Sequence, residues 1–404
     1  MARKIEHWDV EDNAFWKSTG KRIANQNLRV SIPNLLCGFS VWLYWGMIAK
    51  VIRRIHTGNP EIFNFTFGNN GQPYGDDGAG YVALLLMLPA VAGLAGATLR
   101  IPNSFVIAIC GGRNVKFMTT VLLILPALGA GIALKNPDTS FSTLIILAAL
   151  SGVGGGAFAS SMSNISFFFP KRMQGLALGL NAGLGNAGVS VMQFLIPWVI
   201  TFGLFGGWGG SPHEFIQDGE KQALWIQNAA FVWVPLMTIL AALAWYMMHN
   251  LPQHYCDPTS GAIGRYLWLM VLGFSGAAVG VFLLIIDWGF VPELLKVFII
   301  LPITVIVTLT LMRFLTPTTT RSSLQSQFEI FTNKHNWAMT WLYTMTFGSF
   351  IGYANAFPLL IDVVFGQVTV GPDGSLLASP IANPNAPVTS NFIWIGAGVG
   401  ALIR

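Results

Sequence analysis

The chain has 404 residues, 53% of them hydrophobic and only 10% charged, where a soluble domain carries about 25% charged residues. That deficit excludes an ordinary water-soluble globule. Long apolar runs recurring over the whole length point instead to an all-α, polytopic membrane protein whose solvent is the lipid bilayer. The net charge of +5 is not a nucleic-acid signal, and its meaning lies in where the cations fall relative to the apolar runs.

Residues 1–30 read as a cytoplasmic N-terminal segment with no cleavable signal, so the first span inserts the protein. Residues 8–24 can start a short helix near Asp9. Phe15 and Trp16 beside Lys17, Lys21 and Arg22 suggest that it lies on the membrane surface; the alternative is a disordered basic tail. A six-helix bundle is expected over 31–250, with spans at about 31–51, 80–108, 115–134, 144–169, 175–202 and 230–249. Residues 251–336 form a linker carrying an extra transmembrane hairpin, about 266–286 and 291–311. Residues 337–404 open a second bundle with one span, about 337–361. An exposed loop follows, in which Gly371-Pro372-Asp373-Gly374 reads as the turn of a small hairpin. The last run starts near Phe392 and stops at Arg404, well short of the roughly 20 residues a crossing needs, so the chain looks cut inside a span. With the N-terminus inside, inner segments hold more than twice as many Lys and Arg as outer ones.

The stretch 157–193 is two apolar halves joined by Pro170-Lys171-Arg172. Gly179, Gly183, Gly185 and Gly188 would let another helix approach closely. Asn181, Asn186 and Gln193 need partners that hydrocarbon does not supply; they are either anion donors or interhelical hydrogen bonds.

Arg100 is the sharpest chemical signal. It lies deep in an apolar run, where a charge costs several kcal/mol unless it meets a cavity or a partner. No carboxylate sits deep in any span to pair with it; Asp287 and Asp362 are at span ends. A permanently charged, planar fork in that position suits a planar oxyanion. Arg404 is a second such residue, or simply a terminal charge. Tyr343 and Phe347, four apart, share a helix face and offer a hydroxyl donor and a wall; Phe158 offers another wall. Neither a P-loop, nor zinc spacing, nor a nucleophile with its base occurs, and Cys37, Cys110 and Cys256 have no paired spacing. An enzyme, a metal site and a cofactor are therefore not expected.

Several runs carry a resemblance. Phe158-Ala-Ser-Ser-Met-Ser-Asn-Ile-Ser-Phe-Phe-Phe-Pro170, followed by Gly179-Leu-Asn-Ala-Gly-Leu-Gly-Asn-Ala-Gly188, resembles the nitrate signature of the nitrate/nitrite porters of the major facilitator superfamily. Leu99-Arg100-Ile101-Pro102, Gly111-Gly112-Arg113 and Leu342-Tyr343-Thr-Met-Thr-Phe347-Gly-Ser-Phe350 extend the match. It looks most like the bacterial porters that import nitrate and export nitrite.

The resemblance implies a major facilitator fold with its first six-helix half complete and its second truncated. Nitrate and nitrite would be the partners, and a multi-pass monomer in the cell inner membrane the unit. It further implies an anion held by Arg100 and Arg404, with Phe158 and Phe347 as cage, Tyr343 as donor and Asn186 as the signature amide; Phe39 is a weaker match to a cavity wall. Gly179, Gly183, Gly185 and Gly188 serve packing first. The hairpin is extra relative to that pattern and is expected at the joint between halves, disturbing neither. Proton-coupled nitrate uptake, a porter for another small anion and a non-transporting fragment are the alternatives.

Overall fold

The computed structural model describes residues 5–74, 78–217, 219–254, 258–289, 291–365, 367–370, 376–382, 394–396 and 398–399. Eight helices among the described residues are long and apolar enough to cross a membrane. The first, α1 (Asn13–Gly58), is a rod of 46 residues. Asp12 caps its start by accepting from the Ala14 amide at 2.9 Å, and one π turn, Trp16–Gly20, leads into the span. The polar segment expected to form a short surface helix is thus continuous with the first long helix. Its aromatic residues find protein instead of lipid: Trp16 is buried, 5.8 Å from the ring of Phe169, and Trp8 Nε1 donates to the Phe167 carbonyl at 3.1 Å.

The helices α2 (Ala79–Cys110), α3 (Gly112–Leu134) and α4 (Phe141–Phe168) fall close to their expected bounds. Small residues decide how they pack. A Cβ on Gly154 of α4 would lie 2.1 Å from the Gly38 carbonyl of α1, and one on Gly152 would lie 2.8 Å from the Ala95 backbone of α2. Only bare glycine backbone permits such crossings. Buried indoles close the remaining gaps and meet acceptors, as apolar surroundings require: Trp42 Nε1 donates to the Ala92 carbonyl at 2.6 Å and Trp45 Nε1 to Ser151 Oγ at 2.9 Å.

The expected fifth span is divided at Ala187 into α5 (Lys171–Asn186) and α6 (Gly188–Val199). At the start of α5 the Lys171 amide donates to Glu11 Oε1 at 2.9 Å, an anion where the helix dipole favours one. Within the loop that follows, an unforeseen hairpin of β1 (His213–Gln217) and β2 (Glu220–Leu224) pairs in antiparallel fashion. It covers the end of the bundle where α1 stops and α2 begins: His213 Nε2 bonds the Leu134 carbonyl at 2.7 Å, and its ring lies 5.1 Å from that of Phe63. The sixth span is α7 (Asn228–Met247).

The extra hairpin is α8 (Thr259–Ile285) and α9 (Glu293–Leu315). It does not stand clear of the bundle. Gly273 of α8 is pressed against α2, where a Cβ would meet Leu99 Cδ2 and Pro102 Cγ at 2.8 Å. The hydroxyls of Tyr266 and Thr119 share a hydrogen bond of 2.8 Å between α8 and α3. Gly276 and Gly280 receive Thr308 and Thr304 of α9. Gly273 is thus the glycine that lets the hairpin dock on α2, while Gly276 and Gly280 let its two arms close on each other. The polar stretch after it contains α10 (Thr318–Phe328). The span α11 (Lys334–Phe365) follows and leans on α1, where a Cβ on Gly46 would meet the Asn355 carbonyl at 2.3 Å. The small hairpin after α11 is present as β3 (Gln367–Val370) and β4 (Leu376–Ala382), antiparallel; its turn residues lie outside the described residues.

Candidate anion site

Arg100 sits in the second half of α2, facing α4 on one side and α11 on the other. Its Nε donates to the Gly155 carbonyl of α4 at 3.2 Å, and its Nη1 to the Tyr343 hydroxyl of α11 at 3.3 Å. Its Nη2 is buried and has no hydrogen-bond partner among the described residues. Both acceptors are neutral, so the positive charge is solvated by dipoles but not cancelled. Four rings supply the remaining surroundings. The guanidinium carbon lies 4.3 Å from the centroid of Phe347, 5.1 Å from Phe158, 5.6 Å from Trp42 and 6.0 Å from Tyr343. Such cation–π contacts contribute about 0.5–2 kcal/mol each as water is excluded.

The cage is rigid on one wall and layered on the other. Phe39 and Phe158 meet edge to face at 5.8 Å, while Tyr343 and Phe347 stack at 4.9 Å with planes 9° apart. Gly155 makes the first wall possible. A Cβ there would be 2.6 Å from the Trp42 ring, and any side chain would displace either Trp42 or the carbonyl that receives Nε. Beside the guanidinium opens a cavity of about 510 Å³ between α2 and α11, lined by Trp42, Pro89, Gly93, Arg100, Phe347 and Gly352 among others.

Of the residues expected at the site, the structure brings together Arg100, Tyr343, Phe158 and Phe347, with Phe39 behind them. Asn186 is buried at the end of α5 with Oδ1 unpartnered, but it makes no hydrogen bond to Arg100 or Tyr343. The flanking Gly185 and Gly188 abut Leu35 and the Leu36 carbonyl, one helical turn from Phe39. Arg404 lies outside the described residues.

Of the other two amides, Asn181 Nδ2 donates to Ser161 Oγ at 3.0 Å and Gln193 Nε2 to the Ala354 carbonyl at 3.1 Å. Both therefore tie helices together. Gly183, Gly185 and Gly188 are buried on the packing face, whereas Gly179 has nothing within 4 Å of where a Cβ would stand. Sequence reasoning missed Trp42 and Gly155. Trp42 was legible as the aromatic residue three positions after Phe39 on the same helix face; the role of a single glycine carbonyl was not.

The class of protein so defined is a polytopic helical membrane protein with an arginine that, among the described residues, bonds only neutral acceptors and is caged among aromatic rings. The chain is 34% identical over 370 residues to the "Probable nitrate/nitrite antiporter NarK2" of Thermus thermophilus, covering 91% of this chain and 63% of that protein. It is 33% identical over 368 residues to the "Nitrate/nitrite transporter NarU" of Escherichia coli, covering 91% of this chain and 60% of that one. A 116-residue stretch, 29% of this chain and 28% of the relative, is 33% identical to the "Probable nitrate transporter NarT" of Staphylococcus carnosus. The chain is similar to these nitrate/nitrite transporters, and it spans about three fifths of the length of the first two relatives. No family model matches it. A crystal structure of the peptide transporter POT in complex with sulfate aligns at a TM-score of 0.42 with 14% identity, over 95% of this chain and 84% of that one, too slight a likeness to argue from.

Proposed function

We propose that this chain carries the anion-binding part of a nitrate/nitrite transporter that works by alternating access. The observation that carries the reading is Nη2 of Arg100: charged, buried and without an acceptor, beside a cavity and inside a ring of aromatic side chains. A guanidinium edge so placed is complementary to a small planar oxyanion, which accepts in plane while the rings cover its faces. Nitrate and nitrite, the substrates in the relatives' names, have that shape.

In this reading Arg100 grips the anion from the α2 side and Arg404 completes the clamp. Tyr343 donates its hydroxyl, Phe158 and Phe347 wall the site, and Asn186 lines its approach. Fixed cations with no carboxylate in the same spans favour exchange. An empty, doubly cationic site resists closing, so each return carries an anion. The N-terminus lies in the cytoplasm, the protein sits in the cell inner membrane, and one copy suffices.

The test is uptake of labelled nitrate by proteoliposomes containing the full-length protein, with or without nitrite inside. Uptake that requires internal nitrite is the expected result. A pH gradient that drives nitrate into nitrite-free vesicles would replace exchange with proton coupling. In Arg100→Lys, uptake falls about 10- to 100-fold, the scale of lost hydrogen bonds to a charged group; uptake unchanged in that variant would refute the clamp.

A further inference from the structure

The extra hairpin has a second pocket at its base, and nothing in the transport reading uses it. A cavity of about 240 Å³ lies between the first turns of α8 and the junction of α9 with α10, lined by Gly261, Gly264, Arg265, Trp268, Thr316 and Thr320. We propose that this pocket binds the phosphate headgroup of an anionic phospholipid from the leaflet on that side of the membrane.

Charge supports an anion. Arg265 is the cation in the lining; Arg321, the residue after Thr320 in α10, lies outside the lining and holds the Phe314 carbonyl with its Nη2 at 2.7 Å. Sidedness supports a lipid of the inner leaflet. Phe328 of α10 packs on Phe105 at 5.2 Å, close to the Gly111-Gly112-Arg113 turn. The pocket therefore belongs to the face that also carries Lys17, Lys21, Arg22, Lys171 and Arg172, the cation-rich face that marks the inside.

The surroundings support a lipid over a soluble ion. Trp268, Val271, Phe314 and Leu315 are large, exposed and apolar, 42–64% accessible, and Trp268 Nε1 donates to the Leu315 carbonyl at 3.1 Å. The ring is thus fixed at the rim with its face turned outward, as interfacial tryptophans are. A headgroup in the pocket would lay its acyl chains over these side chains. Basic pockets between membrane helices on the inner side are suited to such headgroups.

The experiment is native mass spectrometry of the protein purified in neutral detergent, with equal additions of phosphatidylglycerol or phosphatidylcholine. The expected result is one phosphatidylglycerol retained in preference to phosphatidylcholine. Arg265→Gln should lower that preference about fivefold, the worth of one arginine near an anionic surface, and Arg265→Lys should keep most of it. The lysine variant distinguishes lost charge from lost folding, and Lys17→Gln, on the same face but away from the pocket, should change nothing. Equal retention of both lipids, or a preference unaltered in Arg265→Gln, overturns the proposal. Inorganic phosphate displacing the lipid at equal concentration would overturn it in favour of a soluble anion.

Discussion

A guanidinium removed from water has five N–H donors to satisfy. Arg100 satisfies them in part with a glycine carbonyl and a phenol, and covers its faces with rings. The arrangement keeps the charge alive. Replacing Tyr343 by Phe deletes the acceptor at Nη1, a bond of 3.3 Å. The loss corresponds to about 0.5–1.5 kcal/mol, so nitrate affinity should fall by up to about tenfold while the protein still folds, measurable by calorimetric titration. An affinity equal to wild type would make Tyr343 a bystander. Replacing Gly155 by Ala should be worse, since the new methyl meets the Trp42 ring at 2.6 Å; expression and thermal unfolding would report it before transport does.

The arginine itself was plain in the sequence, because a charge within an apolar run has few explanations. So were Tyr343 and Phe347 through their spacing, and Phe158 through the resemblance. Trp42 could have been read from its place three residues after Phe39, whereas Gly155 could not, because what it supplies is a backbone carbonyl and room for a ring, and no residue type announces those.

At the scale of elements, the signature glycines separate into two kinds. A Cβ on Gly188 would stand 2.1 Å from the Leu36 carbonyl, while one on Gly179 would meet nothing. Gly188→Ala should therefore destabilise the protein by about 1–3 kcal/mol, as overpacking does. Gly179→Ala should leave its melting temperature unchanged or slightly raised, because Ala is the better helix former. Equal effects would show that the motif acts other than through packing.

Span positions were legible from hydropathy to within a few residues, with two instructive failures. The N-terminal segment looked interfacial because Phe15 and Trp16 stand beside cations, yet the neighbouring end of α4 is near enough to bury Trp16. The break at Ala187 left no mark, because Gly188 resembles the other glycines around it. The docked hairpin of α8 and α9 was foreseen as two spans but not as a partner of α2, since the fit of Gly273 to Leu99 and Pro102 is a property of two surfaces together.

At the scale of the whole molecule, the end covered by the β1–β2 hairpin is closed by packed histidines and aromatic rings, His213 beside Phe63 and His56 stacked on Tyr81. Burial pushes the His213 imidazole below its ordinary value of 6.5, and its hydrogen bond to the Leu134 carbonyl offsets part of that. A lowered folded-state value means that the unfolded chain binds the proton first. Stability is complete above pH 6.5 and declines as the pH falls below it. The thermal unfolding temperature should therefore drop between pH 7 and 5, and the drop should be smaller in His213→Gln. A melting curve independent of pH over that range would remove His213 from the account.

The site joins two groups of helices: α2 is packed on α8 through Gly273, whereas α11 lies in the segment expected to open a second bundle. Spin labels on α2 and α8 should keep their separation when nitrate is added, and labels on α2 and α11 should change theirs; the reverse result would move the mobile wall to the other side.

Braced from behind by Gly273 and its neighbours, the helix that holds Arg100 has little room to travel. If, as proposed, an anion is gripped between this helix and the part of the chain bearing Tyr343 and Phe347, release by withdrawing the second would leave the Arg100 charge where it is. The field of that guanidinium would then be stationary through the cycle, and what would alternate is the side from which it can be reached.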